Sequence, residues 1–137
     1  MTKPSKEFSS PAELPPPIGY SHIAKVNNGA IVYIAGQVSS DASGDLIGEG
    51  DFDAQVEQVF CNLKIAVEAA GGTMDDIVKL NYFLVAEVEQ IAVQRLRTLR
   101  DRYLNVARPP ASTLVVVTRL ARPGWLIEIE AVAAIDE

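Results

Sequence analysis

Two glutamates near the C-terminal end are the residues whose type and spacing are best suited to chemistry. Glu128 and Glu130 alternate with apolar residues in the stretch Ile127-Glu128-Ile129-Glu130-Ala131. Alternate side chains of a strand point to the same face, so the pattern predicts two carboxylates whose Cα atoms are about 6.5 Å apart. A carboxylate in a partly dry cleft can orient or deprotonate a water molecule. The same pattern is also typical of a solvent-facing polar edge, and it leaves both interpretations open.

Other polar residues give little support to a metal or phosphate site. The one histidine, His22, has no cysteine or second histidine near it in the sequence, and a metal site usually needs several such ligands. The glycines Gly44, Gly48 and Gly50 do not stand between a strand and a helix, as a phosphate-binding loop requires. We therefore expect neither a metal site nor a phosphate-binding loop.

Length and charge predict a folded protein and disfavour two classes of partner. The chain has 137 residues, enough for one hydrophobic core, and a formal net charge of −6. Nucleic-acid-binding surfaces need clustered lysines and arginines, whereas the arginines between positions 95 and 102 have the spacing of a solvated helix face. No apolar run is long enough to span a bilayer. We expect no nucleic-acid partner and no membrane partner.

Cysteine usage indicates the compartment. A single cysteine, Cys61, cannot form a disulfide within the chain, which fits a reducing environment. It lies among apolar residues at helical spacing, so we expect a buried, inert thiol. No signal segment is recognisable at the start of the sequence. We therefore expect a cytoplasmic protein.

The elements that must position these side chains follow from the spacing of apolar residues. The expected strands span residues 23–26, 30–35, 77–85, 113–120 and 125–133, and the expected helices span residues 52–70 and 88–103. Asn27-Asn28-Gly29 predicts a hairpin turn between the first two strands. Residues 1–16 are rich in proline and serine and are expected to be a flexible N-terminal arm, whereas residues 17–137 form a single domain.

This order of elements predicts an α+β fold with two helices on one face of a sheet. The predicted strands at residues 31–34 and 114–117 are apolar on both sides. Two helices cover only one face of such a sheet, and no residues remain to cover the other. We therefore expect sister subunits to bury it.

Several short motifs together resemble the reactive intermediate deaminase family (Rid, also called RidA/YjgF). Gly19-Tyr20-Ser21 is similar to its N-terminal element, and Tyr33-Ile34-Ala35-Gly36-Gln37 is similar to one of its strand ends. Residues 55–71 resemble its first helix. Its C-terminal signature is matched by three stretches: Pro110-Ala111, Arg119-Leu120 and Ile127-Glu128-Ile129-Glu130-Ala131. The resemblance keeps the order of the family over residues 17–135.

The resemblance implies a chorismate-mutase-like (YjgF-type) fold with a mixed sheet. It also implies a homotrimer with a central barrel, and ligand clefts between subunits. The implied activity is the hydrolysis of reactive imines or enamines to a ketone and ammonia without a cofactor. A trimer of the same fold that binds a small metabolite without turnover is the alternative interpretation.

The resemblance also assigns roles to individual residues. Glu128 matches the glutamate that directs water, and Tyr20 matches a tyrosine that contacts the substrate. Gly36 matches the close-packed strand end beside the ligand. Ser112, which follows Ala111, stands where active members of the family carry an arginine that binds the substrate carboxylate.

Ser112 is the main departure from the family pattern. A serine offers hydrogen bonds but no charge, so its presence predicts weak activity on simple 2-imino acids. Arg108 or Arg95 could supply the missing cation, and a family asparagine on the second helix has only Gln94 or Arg95 near it. The expected substrate-binding residues are therefore Ser112, Gly36, Ala111 and Arg108, beside the catalytic pair Glu128 and Tyr20.

Overall fold

A computed structural model describes residues 3–137, so that Met1 and Thr2 of the expected arm lie outside the described residues. Within this range the strands are β1 (Lys6–Ser9), β2 (Ile23–Val26), β3 (Ala30–Gln37), β4 (Ile77–Val85), β5 (Ala111–Val117) and β6 (Ile127–Ile135). The helices are α1 (Phe52–Ala69) and α2 (Gln90–Arg100), and a 3₁₀ turn spans Met74–Asp76. The predicted α+β class is confirmed.

The main sheet is mixed. Its strands follow the order β3-β6-β4-β5, with β6 antiparallel to both β3 and β4, and β5 parallel to β4. One core lies between this sheet and the two helices, because α1, α2 and alternate positions of β4 and β6 all contribute buried apolar side chains to it. Its largest fully buried apolar members include Phe60, Leu63, Leu80, Leu84, Ile127 and Ile129.

The predicted hairpin at Asn27-Asn28-Gly29 is wrong, because β2 and β3 belong to different sheets. β2 pairs instead with β1, a strand that the composition of residues 1–16 does not predict. Lys6 anchors this strand: its buried ammonium donates to the carbonyl of Ala134 at 2.7 Å and pairs with Asp76 at 2.9 Å. A buried charge needs such partners, so β1 is tied to the far end of the chain.

Gln55 of α1 ties the loops at one end of the sheet together. Its fully buried amide donates to the carbonyls of Gly48 at 3.1 Å and Gly124 at 2.9 Å. The same amide accepts a hydrogen bond from the backbone of Leu126 at 2.9 Å. These bonds satisfy buried polar groups of the segment that leads into β6, and so fix the position of that strand.

The sheet face opposite the helices carries several exposed apolar side chains. Tyr33 is 80% exposed, Ile31 44% and Val115 41%. Large apolar side chains exposed on one sheet face are typical of a face that another protein covers. The exposure agrees with the expectation of sister subunits, and the trimer itself stays a prediction.

Cys61 and the end of α2 differ from what the sequence predicts. Cys61 is exposed, so the expectation of a buried thiol is wrong: Phe60 and Leu63 occupy the buried stripe of α1, and Cys61 lies outside it. α2 ends at Arg100, three residues before the predicted end, although Tyr103 still stacks on Phe60 with ring centroids 5.0 Å apart.

Among the described residues, no helix has the length and apolar character that a membrane span needs.

Candidate active site

A cavity of about 360 Å³ lies between α2 and β5. Its polar lining consists of Tyr20, Tyr82, Arg97, Arg100 and Ser112. The rest of its wall is mostly apolar. A concave, mostly apolar pocket with a few convergent polar groups is the usual form of a small-molecule site.

The loop that carries Tyr20 is fastened to the proline segment that carries Ser112. The backbone N–H of Ser21 donates to the carbonyl of Pro110 at 3.1 Å, and its hydroxyl donates to the carbonyl of Pro109 at 2.7 Å. Proline restricts the backbone, so the segment before Ser112 is stiff. Two of the predicted site residues, Tyr20 and Ser112, are thereby brought to one cavity.

The ring of Tyr20 is supported from its other side by His22. The two rings pack edge to face, with centroids 5.2 Å apart and an angle of 77° between their planes. The imidazole itself is held by a 2.7 Å hydrogen bond between Nε2 and the carbonyl of Pro15. His22 therefore supports the position of the Tyr20 ring.

Glu128 and Gly36 meet on the opposite face of the sheet. The β3–β6 register shifts between Ile34 and Gln37, and Gly36 lies within this irregularity. A Cβ atom on Gly36 would lie 2.8 Å from Cδ of Glu128, so only glycine leaves room for the carboxylate. Two of the residues that the resemblance assigns to the site, Gly36 and Glu128, are therefore in contact within a single chain.

The two glutamates of β6 differ in their surroundings. Oε1 of Glu130 accepts a hydrogen bond from the side-chain amide of Asn81 at 3.0 Å. The carboxylate of Glu128 accepts none from residues 3–137, and its side chain is only partly buried. Glu128 is therefore the carboxylate that is free to bind a water molecule or a ligand.

The cavity and the Glu128 carboxylate lie on opposite faces of the sheet. Ser112 is paired with Leu80, whose side chain is in the core beneath the helices. Glu128 is paired with Phe83, three residues further along β4, and successive residues alternate between faces. One chain therefore does not bring Glu128 together with Tyr20 and Ser112.

The remaining predicted substrate-binding residues lie outside the cavity. The Arg108 guanidinium is stacked over the ring of Phe8, 5.1 Å from its centroid, and Arg95 donates to both carboxylate oxygens of Asp53 at 3.0 and 3.1 Å. Ala111 precedes Ser112 in β5 and so faces the other side of the sheet. Within the chain, none of these residues joins Ser112.

Arg100 and Tyr82 are cavity residues that the sequence analysis missed. The basic run was expected to be a solvated helix face, but Arg100 is only 8% exposed, because the loop at Gly19 covers it. A Cβ atom on Gly19 would lie 2.7 Å from Cζ of Arg100. The available signal was the three-residue spacing of Arg97 and Arg100, which places both on one side of α2.

Tyr82 lines the same cavity, and its hydroxyl is buried. The side chain is 4% exposed, and the hydroxyl has no hydrogen-bond partner among residues 3–137. Burial raises the pKa of Tyr82 above its ordinary value, while the positive charge of Arg100 partly offsets the increase. The hydroxyl is therefore a neutral donor at physiological pH.

Comparison with known proteins places the chain in a family. The sequence model described as Endoribonuclease L-PSP matches residues 11–135. A RutC family protein of Pyrococcus abyssi is 33% identical over 130 residues, which are 94% of this chain and 97% of the relative. A solved structure of the conserved Rid protein family, from Yersinia pestis, superposes with a TM-score of 0.83 at 32% identity, covering 96% of this chain and 99% of that one. The chain belongs to the Rid family.

A further relative has a name that describes a reaction. It is a 2-iminobutanoate/2-iminopropanoate deaminase of Dermatophagoides farinae, 37% identical over 82 residues, or 59% of this chain and 62% of the relative. The mixed four-stranded sheet and the two helices agree with the Rid structure from Yersinia pestis. The predicted family and fold class are confirmed.

Proposed function

We propose that this Rid-family protein hydrolyses reactive imines or enamines to a ketone and ammonia, in clefts between the protomers of a homotrimer. The observation that carries the proposal is the free carboxylate of Glu128 against the backbone of Gly36. The relative named as an imine deaminase supports the reaction class. An enamine would first tautomerise to the imine.

The chemistry needs only water and the side chains of the chain. Water attacks the imine carbon and forms a C–O bond, while the π electrons of C=N move to nitrogen. Glu128 accepts a proton from the attacking water and returns it to nitrogen. In the tetrahedral carbinolamine, Glu128 then takes the hydroxyl proton and passes it to the amino group; the C=O bond forms, the C–N bond breaks, and its electron pair leaves with ammonia. Tyr20 and Ser112 donate hydrogen bonds that orient the substrate.

Assembly is needed for this mechanism because the two groups of site residues face opposite sides of one sheet. A neighbouring protomer that packs on the exposed face of Tyr33 and Val115 would cover the apolar side chains there. It would also bring the cavity of one chain to the Glu128 of another. A trimer closes such a contact without leaving an open end.

The net charge and the single cysteine indicate the kind of partner and the location. The description of the matching family names an endoribonuclease, but a net charge of −6 disfavours RNA, whose phosphates require a basic surface. We therefore propose a small-molecule substrate. The single cysteine supports a reducing, cytoplasmic location.

The test is ammonia release from imino acids that an amino-acid oxidase generates in the assay. Glu128→Gln keeps the shape of the side chain but removes its basicity, so it should lower turnover by about 10²- to 10⁴-fold. Glu130→Gln is the matched control, since an amide oxygen can still accept the hydrogen bond of Asn81. Equal turnover of Glu128→Gln and the wild type would refute the role of Glu128.

The same assay separates the enzyme from a binding protein. A wild-type protein that accelerates no imine hydrolysis, yet binds a small metabolite, would favour the non-catalytic trimer. The cavity beside Tyr20 would then be its binding site.

A further inference from the structure

Arg100 is a buried cation whose bonding capacity is mostly unused. Its Nε atom pairs with Asp101 at 3.2 Å, and its terminal nitrogens have no partner among the described residues. A guanidinium has five N–H donors in a planar fork. These terminal nitrogens are not fully buried, so an acceptor that enters the cavity can reach them.

Tyr82 supplies a second unused donor to the same cavity. Its hydroxyl is buried and unpartnered within residues 3–137. Leaving such a group unpaired costs about 1–3 kcal/mol. A phenylalanine would fill the same space without that cost, so the hydroxyl is better explained by a ligand that accepts its hydrogen bond.

The cavity has the charge and shape for a small organic anion. Arg97 adds a second cation, and neither aspartate nor glutamate is found in the described lining. Ile18, Leu96 and Leu114 form an apolar wall that suits a short hydrocarbon group. A planar guanidinium binds a carboxylate through two parallel hydrogen bonds.

We propose that Arg100 and Tyr82 bind the carboxylate of a small aliphatic acid in the cavity between α2 and β5. The inference rests on the proposed function in one respect, that the bound acid is the substrate or its ketone product. α2 then supplies the cation that is absent from position 112, and Ser112 completes the polar lining. This replaces the expectation of weak activity on 2-imino acids, which assumed that no cation stood beside Ser112.

Gly19 makes this arrangement possible. Its φ of 73° is in the left-handed region that favours glycine, and it has no side chain where the Arg100 guanidinium lies. Gly19→Ala should therefore displace the guanidinium without removing its charge. Anion binding should weaken in this variant as well.

The test measures binding, so that it does not depend on turnover. Pyruvate, a small 2-oxo acid, and its uncharged methyl ester are titrated against the assembled wild type by calorimetry. We expect pyruvate to bind and the ester to bind at least tenfold more weakly. Arg100→Gln should weaken pyruvate binding about 10- to 100-fold. The matched control is Arg102→Gln, because Arg102 is exposed and pairs with Glu57 at 3.1 Å.

Tyr82→Phe is a second variant that keeps the test decisive if the Arg100 variant misfolds. It should fold, because it removes only one oxygen atom. It should weaken pyruvate binding about three- to tenfold and leave the weak binding of the ester unchanged. Equal affinity of pyruvate and the ester, no pyruvate binding, or full affinity in both variants would overturn the inference.

A catalytic variant distinguishes this inference from the proposed function. Glu128→Gln should lose turnover but bind pyruvate like the wild type. If imines are hydrolysed but Arg100→Gln binds pyruvate as tightly as the wild type, the inference fails and the proposed function stands. If pyruvate binding depends on Arg100 and no imine is hydrolysed, the anion site stands and the proposed function fails.

Discussion

The backbone of Gly36 lies so close to the Glu128 side chain that a methyl group would not fit between them: a Cβ atom would be 2.8 Å from Cδ and 3.0 Å from Cγ. The φ of Gly36 is outside the left-handed region, so its conformation does not require glycine. The close approach of the carboxylate does. The position of the proposed water-directing group is therefore set by the absence of a side chain on the neighbouring strand.

Gly36→Ala should lower imine turnover about tenfold or more, because a carboxylate displaced by about 1 Å no longer directs the water correctly. The measurement is kcat in the ammonia assay, with circular dichroism to verify the fold. In the Glu128→Gln background the same change should cost nothing further, since the group that it displaces is already inactive. Independent, additive losses would contradict this coupling.

Mixing two inactive variants should restore activity if each site combines two chains. Arg100→Gln disables the cavity and Glu128→Gln disables the carboxylate, on opposite faces of the sheet. After co-refolding at equal amounts, roughly a quarter of the sites should contain both intact halves, because each half is intact in half of the chains. Activity equal to that of the unmixed variants would mean that the site lies within one chain.

Tyr33→Asp should dissociate the assembly. The Tyr33 side chain is 80% exposed on the sheet face that we expect a neighbour to cover, and a carboxylate there would lose its hydration on assembly. Light scattering should give the mass of a monomer. Ile65→Asp is the control, because Ile65 is 66% exposed on α1. A Tyr33→Asp protein of wild-type mass would place the interface elsewhere.

Tyr82→Phe should stabilise the unliganded protein, by about 1 kcal/mol in urea unfolding at pH 7, because an unpaired buried hydroxyl is removed. Burial raises the pKa of Tyr82 in the folded state. Above about pH 10 the unfolded chain therefore loses a proton that the folded chain keeps, and wild-type stability falls. The variant should lose less stability between pH 9 and pH 10.5. Parallel pH curves for the two proteins would be inconsistent with a buried, neutral Tyr82.

Gln55→Leu should destabilise the fold although leucine is similar in size. The change leaves two carbonyls and one N–H without their bonds to the buried amide. We expect a loss of about 2 kcal/mol or more, visible as a decrease of several degrees in Tm. Gln94→Leu on the exposed side of α2 is the control. An unchanged Tm would show that water replaces the lost bonds.

The elements that the sequence predicts well are those with a strong internal period. Phe52, Val56, Leu63 and Val67 recur at helical spacing and are buried in α1, and the predicted limits of β4 agree with the structure. β1 has no such period: its sequence Lys6-Glu7-Phe8-Ser9 becomes a strand only because β2 pairs with it. Pairing between distant segments overrides local composition there.

The site was only partly predictable for a similar reason. Family resemblance predicts Gly36 and Glu128 as site residues because each belongs to a local motif, but it does not predict the contact between them. The burial of Arg100 depends on Gly19, which is 81 residues away in the sequence, and Tyr82 looks like an ordinary apolar position in β4. The local sequence around Arg100 does not show that the Gly19 loop covers it, and the local sequence around Tyr82 does not show that its hydroxyl is left without a partner.

The strand order β3-β6-β4-β5 has a consequence for how the chain is made. β6 is synthesised after the other three strands of this sheet, yet it lies between β3 and β4 and provides the partner of both. The hydrogen bond from Lys6 of β1 to the carbonyl of Ala134 also cannot form until β6 has been synthesised. Until β6 has been synthesised, β3 has no neighbour in the main sheet and its edge is open to other nascent chains. A product truncated before residue 127 would therefore lose the centre of the sheet, and it should be an aggregation-prone client of chaperones and proteases.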